Sequence, residues 1–328
     1  MQPVPRREVF DAYWTFAAER QRIYLSRLAG VRAPWSENPI LARFKFCNAY
    51  RAADRVSQYL IREVVYDDRE VDPEDLLLRI VLFRLFSRPE TWELLEAGGG
   101  VDRRALASGH LGEILDGAMA RGERLYTGAF ILCANRAYGH PRKHQNHLAL
   151  VTEMSRPGGI GAAVARAGSI GDLYEALRAY PLIGPFMAYQ LAIDINYSEL
   201  CDFDESEAAV AGPGALRGIA KCFSDRAGLD PEQIILWMTE RQDIEFERLE
   251  IHFPGLFGRP LQAIDIQNLF CEVDKYSRVA FPELKSNRSR IKTRFRPSGS
   301  PPPPFFPPKW RLQIPADLIL DGKAAMCH

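Results

Sequence analysis

Apolar residues recur at helical spacing along most of the chain. From Arg7 to Ala29, the series Phe10, Tyr13, Trp14, Ala17, Tyr24 and Leu28 marks one face of a long helix, and Gly30 supplies its stop. After the Pro34-Trp35 turn, Pro39 to Tyr66 reads as a second long helical stretch. Asp72-Pro73-Glu74-Asp75 combines a cap, a first-turn proline and early acids, and so opens a helix through Leu76 to Phe86. Gly98-Gly99-Gly100 is a loop. Further helices are expected over 103–121, 124–137 and 143–155, with Gly158-Gly159 as a break. Ser169 caps the next helix, Asp230-Pro231 opens one to about Arg241, and Pro260 to Arg278 is the last. Alternating strand patterns are scarce and no internal repeat is evident. The pattern predicts an all-α fold.

Past Pro282 the pattern ends. Ser298-Gly-Ser-Pro301-Pro-Pro-Pro304-Phe-Phe-Pro307-Pro308 is expected to be extended polyproline, either docked through Phe305, Phe306 and Trp310 or left mobile. The expected organisation is a helical domain over 1–282 and a basic, Pro-rich C-terminal tail over 283–328.

At 328 residues and 47% hydrophobic, the chain can bury a large core, as one big domain or two closely packed ones. Formal net charge is zero, so no global field points to nucleic acid, yet charge is segregated. Acids outnumber bases sixteen to seven between Glu199 and Lys275, whereas Lys285 to Arg311 carries eight Lys/Arg and no acid. That basic segment suits a phosphate backbone or a solvated tail. The six cysteines are scattered without a C-x-x-C pair, as in a reduced compartment, and no four-cysteine iron–sulfur signature is present. No signal peptide precedes the first helix and no apolar run spans a bilayer. A soluble, cytoplasmic protein is expected, nucleoid-associated if bacterial, with no membrane partner.

The segment Leu177-Arg-Ala-Tyr180-Pro181-Leu182-Ile183-Gly184-Pro185-Phe186-Met187-Ala188 reads as two helices joined by a tight hairpin within 169–197. Pro181 stops one helix, Gly184 is expected to take a turn conformation closed to most residues, and Phe186, Met187 and Leu191 begin a new stripe. Amides at the start of the second helix would point towards a phosphate. This resembles the helix-hairpin-helix of the DNA glycosylase superfamily, in which an active-site carboxylate follows about twenty residues on. Here Asp202, Asp204, Glu205 and Glu207 stand at that distance. Leu182 occupies the usual first glycine position and Pro185 removes one amide; a plain helix–helix connection is the rival.

Several polar groups sit in apolar company. Asn48, Arg51, Arg55 and Gln58 would share one helix face, suited to phosphate or base edges, with a solvated face and a local Asp54 pair as the alternative. Arg84 is either a snorkelling residue or a buried cation needing a partner. His140, His144 and His147 lack an acid or cysteine close by in sequence, so no metal is expected, and Lys143 or a histidine near a phosphate is the better guess. Gln267, Asn268, Cys271, Glu272 and Lys275 share a broad face that suits a pocket wall or solvent. Gly212-Pro-Gly214 suits close approach to a phosphate, or a sharp turn feeding a helix. No G-x-x-x-x-G-K-[ST] occurs, so kinase activity of the P-loop kind is not expected.

Ordered motifs carry a wider resemblance: Phe46-x-Asn48-x-Tyr50-Arg51-x-x-Asp54-Arg55-Val56, Leu82-Phe83-Arg84-x-Phe86, Tyr180-Pro181-x-Ile183-Gly184-x-Phe186-x-Ala188-Tyr189-Gln190 with Asp194, Phe203-x-Glu205-x-Glu207, and Asp265-x-Gln267-Asn268-x-x-Cys271-Glu272-x-Asp274-Lys275-Tyr276. Over roughly 8–295 the chain resembles the helical domain associated with phage 5-hydroxymethyluracil DNA kinases and the related α-glutamyl/putrescinyl-thymine pyrophosphorylases. Glu207 stands where the resemblance leads one to expect aspartate.

The resemblance implies an enzyme of thymine hypermodification with a helix-hairpin-helix glycosylase-like fold, DNA as partner and no cofactor. An amine or amino acid would replace pyrophosphate on a 5-pyrophosphoryloxymethyl-uracil base. Asp204, Glu205, Glu207, Glu272 and Lys275 are the catalytic candidates. Asn48, Arg51, Asp54, Arg55, Arg84, Lys143, Gly212, Gly214, Gln267 and Asn268 are the substrate or phosphate candidates. Tyr180, Ile183, Gly184 and Gln190 are the hairpin contacts to DNA. A glycosylase excising a modified base, in repair or anti-phage defence, and a non-catalytic DNA-binding module are the alternatives.

Overall fold

Helix-favouring stripes and capped starts lead to fourteen α-helices among the described residues, and a computed structural model describes residues 2–128, 136–284, 291, 293–296 and 301–318. In chain order the helices are α1 (Arg7–Leu28), α2 (Pro39–Arg43), α3 (Arg55–Tyr59), α4 (Pro73–Phe86), α5 (Pro89–Ala97), α6 (Arg103–Ala107) and α7 (His110–Ala120). They continue with α8 (Lys143–Met154), α9 (Ile160–Arg166), α10 (Ile170–Arg178), α11 (Pro185–Asn196), α12 (Pro213–Cys222), α13 (Pro231–Arg248) and α14 (Ala263–Ala280). One antiparallel pair of short strands, β1 (Val4–Pro5) and β2 (Phe223–Asp225), is the only sheet among the described residues.

The chain divides into two compact units, one of 1–54 with 205–328 and one of 55–204.

In the first unit, α14 packs against α1, α2, α12 and α13. The α1 stripe buries Phe10, Tyr13, Trp14 and Ala17, and the Tyr13 hydroxyl donates to the Ile266 carbonyl of α14 (3.0 Å). Gly214 and Gly218, one turn apart on α12, both face α14. A Cβ on Gly218 would fall on the Phe270 carbonyl, 2.7 Å from its carbon, and one on Gly214 would fall on the Cys271 thiol. The phosphate-approach reading of Gly214 is corrected here: the glycine lets two helices close on each other.

In the second unit, α4 is buried from Leu77 to Phe86 and α11 from Met187 to Asn196, as expected of central helices. The predicted caps hold. The Asp72 carboxylate accepts from the Glu74 amide, the Ser169 hydroxyl from Asp172, and Asp230 forms a capping box with Gln233.

Three expected helices differ. The one over 103–121 breaks at Ser108-Gly109, where Gly109 (φ +81°) separates α6 from α7. The stretch 39–66 breaks after Arg43 because Asn48 and Asp54 bind local backbone: Asp54 accepts from the Asn48 amide (2.9 Å) and the Asn48 side chain donates to Ala53 O (2.7 Å). A 3-10 turn (Arg51–Ala53), α3 and a π-helical segment (Leu60–Val65) follow. The helix expected over 124–137 is absent from 124–128, and 129–135 lie outside the described residues. No helix among the described residues is long and apolar enough to cross a membrane.

Candidate functional site

The start of α14 organises the first unit's polar centre. Asp265 is the third residue of that helix, and its Oδ2 accepts from the Gln262 amide (3.0 Å) as a capping box. Its Oδ1 reaches beyond the helix to accept from the Arg51 amide (2.7 Å). Burial pushes Asp265 up to about 7; the two amides oppose the rise, nearby Glu205 adds to it and Arg259 lowers it. Glu205 is itself 3% exposed, and its Oε1 lies 3.5 Å from Arg259 Nη2. Two buried carboxylates beside one guanidinium suit proton transfer near neutral pH.

Arg259 is held by its turn. Its carbonyl accepts from the Tyr50 hydroxyl (2.6 Å) and the Leu256 amide (2.9 Å). Gly255 has φ +65°, and a Cβ there would sit 2.6 Å from that same carbonyl oxygen, so glycine is required.

A second group lies farther along α14. Glu272 is buried, accepting from the Cys47 amide (3.1 Å) through Oε2 and from Lys275 Nζ (2.8 Å) through Oε1. Burial opposes the charge on Lys275, but Glu272 outweighs it and holds the amine above its usual range. Lys275 Nζ also lies 3.5 Å from the Cys271 thiol. Asn48 accepts from Arg20 Nη2 (3.1 Å), so Asn48 and Asp54 knit the 45–54 loop rather than display a helical face. Gln267 is buried and Asn268 half-buried on the same helix. Gly212 is the cap residue of α12. Asp274, fully buried, gathers Arg217 (3.0 Å), Lys221 (3.1 Å) and Arg278 (2.6 Å); despite burial, these cations hold its carboxyl below the usual range.

The acidic run is split. Glu205 is buried in the first unit, whereas Asp202, Asp204 and Glu207 are exposed, so the four acids do not form one buried cluster. Asn196 shapes its start, exchanging two hydrogen bonds with the Phe203 backbone (2.8 and 3.0 Å).

In the second unit, Arg84 is 1% exposed and forks onto Asp194, with Nη2 to Oδ1 at 2.9 Å and Nε to Oδ2. It is a buried ion pair, not a displayed phosphate contact. The 179–184 turn joins α10 to α11 as expected, but the positive φ belongs to Leu182 (+68°), while Gly184 is extended (φ −76°, ψ 170°). Ile183 and Gln190 are buried, which corrects their reading as DNA contacts; Tyr180 is half-buried and Gly184 exposed. Lys143 Nζ lies 4.0 Å over the Tyr126 ring. Burial, with Lys143 and His144, pushes His147 down to about 3, and Tyr126 pairs with its Nδ1 (3.0 Å). His144 Nε2 meets Asp116 (2.8 Å), an acid that sequence distance hid. Arg55 is exposed at the start of α3. No cluster of three metal-ligating side chains occurs among the described residues.

Sequence reasoning missed Arg259, and it noted Asp265 only within a motif. The available signals were the Gly255-Leu-Phe-Gly258-Arg-Pro260 turn and an acid at a helix start between apolar neighbours. A separate cleft of about 430 Å³, lined in part by Arg6, Phe223, Ser224 and Arg226, holds none of the candidate residues.

Comparison with known proteins yields a family match, described as "5-hmdU DNA kinase, helical domain", over residues 7–286. A curated relative, a 5-hmdU DNA kinase of Bacillus phage SP10, is 25% identical over 301 residues, covering 84% of this chain and 46% of the relative. The chain thus spans less than half the length of that relative. No solved structure matches.

Proposed function

The chain belongs to the 5-hmdU DNA kinase helical-domain family, and from that premise we propose that it acts in DNA hypermodification on a base derived from 5-hydroxymethyluracil. The observation that carries the reading is the buried pair Glu205 and Asp265 beside Arg259, with Asp265 near 7. In the reaction we favour, the C–O bond of a 5-pyrophosphoryloxymethyl group breaks and pyrophosphate leaves with the electron pair. An amine or amino-acid nitrogen forms the new bond to that carbon, and its proton passes to the Glu205/Asp265 pair. Arg51, Arg259 and Lys275 are the cations assigned to the departing charge, with the base flipped from its stack or met in a single strand. The Gly184 turn is assigned to a DNA phosphate.

The relative's name favours a second reading, phosphoryl transfer to the 5-hydroxymethyl group. No P-loop sequence occurs within residues 1–328.

One experiment separates the readings. Oligonucleotides bearing 5-hydroxymethyluracil or its pyrophosphate ester are incubated with the protein, with and without ATP and a mixture of amines and amino acids. Pyrophosphate release with a new aminated nucleoside supports transfer, ATP-dependent phosphate incorporation supports the kinase reading, and abasic sites support a glycosylase. Intact substrate under every condition refutes an enzymatic role on this base.

A further inference from the structure

The Pro-rich tail is tied to the carboxylate pair through one aromatic ring. Extended from Pro301, the tail turns at Pro308–Trp310, where the Trp310 amide donates to the Pro307 carbonyl (2.9 Å). Phe306 is 5% exposed; its ring lies 6.2 Å from Phe257 and stacks on Trp310 at 6.1 Å and 19°. The Arg259 guanidinium carbon sits 4.0 Å from the Trp310 ring centroid. Phe257 and Arg259 belong to the same tight turn, so the tail grips both that turn's aromatic ring and its cation.

The geometry explains why Arg259 needs this grip. Its backbone is fixed by Tyr50 and Leu256, but a long flexible side chain separates the backbone from the charge. The 3.5 Å separation from Glu205 is too long for a strong hydrogen bond to set the guanidinium plane. An aromatic face fixes both the plane and the position of a guanidinium, and does so better when water is excluded.

We propose that Trp310 is a positioning residue: its ring holds the Arg259 guanidinium against Glu205, making the tail part of the first unit's functional site. Asp265 reports on this placement, since it is faced by Glu205 and Arg259 and by the Arg51 and Gln262 amides. The inference takes its functional meaning from the role proposed for Glu205 and Asp265, but the placement is testable without turnover.

The test uses the full chain with Trp310→Leu, Trp310→Phe and Arg259→Lys, reading the Asp265 carboxyl by carbon NMR titration. Leucine keeps apolar cover but offers no π face. Arg259 then drifts, and the Asp265 midpoint should rise by about half a pH unit, as expected for a weakened neighbouring cation. Phenylalanine should restore the wild-type midpoint. Arg259→Lys, whose point charge lacks the planar stack, should reproduce the leucine shift even if Trp310→Leu does not fold. Unmoved midpoints in Trp310→Leu and Arg259→Lys would overturn the proposal, as would equal displacement by leucine and phenylalanine, which marks mere packing. In the pyrophosphate assay, Trp310→Leu should lower kcat about fivefold with KM unchanged, and Trp310→Phe should recover it. A wild-type chain without turnover would refute the functional reading while the titration still decides the role of Trp310.

Discussion

Replacing Asp265 with asparagine removes a carboxylate whose folded and ordinary values stand far apart, 3.8 against about 7. Between those values the folded protein holds a proton that the unfolded chain has released. Stability therefore falls as pH rises through that window, and the loss is complete above 7. At 1.36 kcal/mol per pH unit, the full loss is roughly 4 kcal/mol, of which roughly 2–3 kcal/mol falls between pH 5 and pH 8. Asparagine offers one acceptor oxygen where Asp265 serves two amides, of Arg51 and Gln262. The stranded amide costs about 1–3 kcal/mol at either pH. Urea unfolding of wild type and Asp265→Asn at the two pH values isolates the titrating part. The variant should be less stable at pH 5 and gain roughly 2–3 kcal/mol on wild type by pH 8. A difference between the two proteins that does not change with pH would refute the reasoning.

Three further outcomes follow from packing, charge and turn geometry. Gly218→Ala drives a methyl group into the Phe270 backbone and should destabilise the protein by about 1–3 kcal/mol in urea unfolding, with retention of wild-type stability excluding the close α12–α14 approach. Asp194→Asn leaves the Arg84 cation buried beside a neutral amide and should cost roughly 3–5 kcal/mol; a loss below about 1 kcal/mol would show that the pair is not held as described. Gly184→Asp fits its open, extended position and should leave thermal unfolding unchanged while weakening duplex binding by about fivefold, roughly 1 kcal/mol. Unchanged affinity in the folded variant removes the hairpin from the DNA surface.

Helices announced by local chemistry were legible. Asp72-Pro73, Ser169 and Asp230-Pro231 cap their own amides, so nothing distant is needed to place those starts. Where side chains bind loop backbone instead, periodicity misleads: Asn48 and Asp54 look like one helical face until each is seen holding the 45–54 segment. Leu182 shows a similar limit, because a left-handed leucine is read from coordinates rather than composition. At the site, residues on α14 could be grouped from spacing alone. Glu205 could not be separated from Asp204 by sequence, since one residue's difference decides burial and the unit to which it belongs. The partnership of Asp265 with Arg51, and of Arg259 with Trp310, joins segments too distant in sequence for any local pattern to pair.

The central claim is that Glu205 and Asp265 handle the proton in a substitution at the 5-methylene carbon of a modified uracil. The most direct test measures initial pyrophosphate release from DNA containing 5-pyrophosphoryloxymethyl-uracil, with amines present, for wild type, Glu205→Gln and Asp265→Asn. Wild type should turn over, and each amide variant should fall by about 100-fold or more while still binding the DNA, the scale of a lost proton-transfer group. Wild-type rates in both folded variants would contradict the account and move the search for the carboxylate to Asp204 and Glu207.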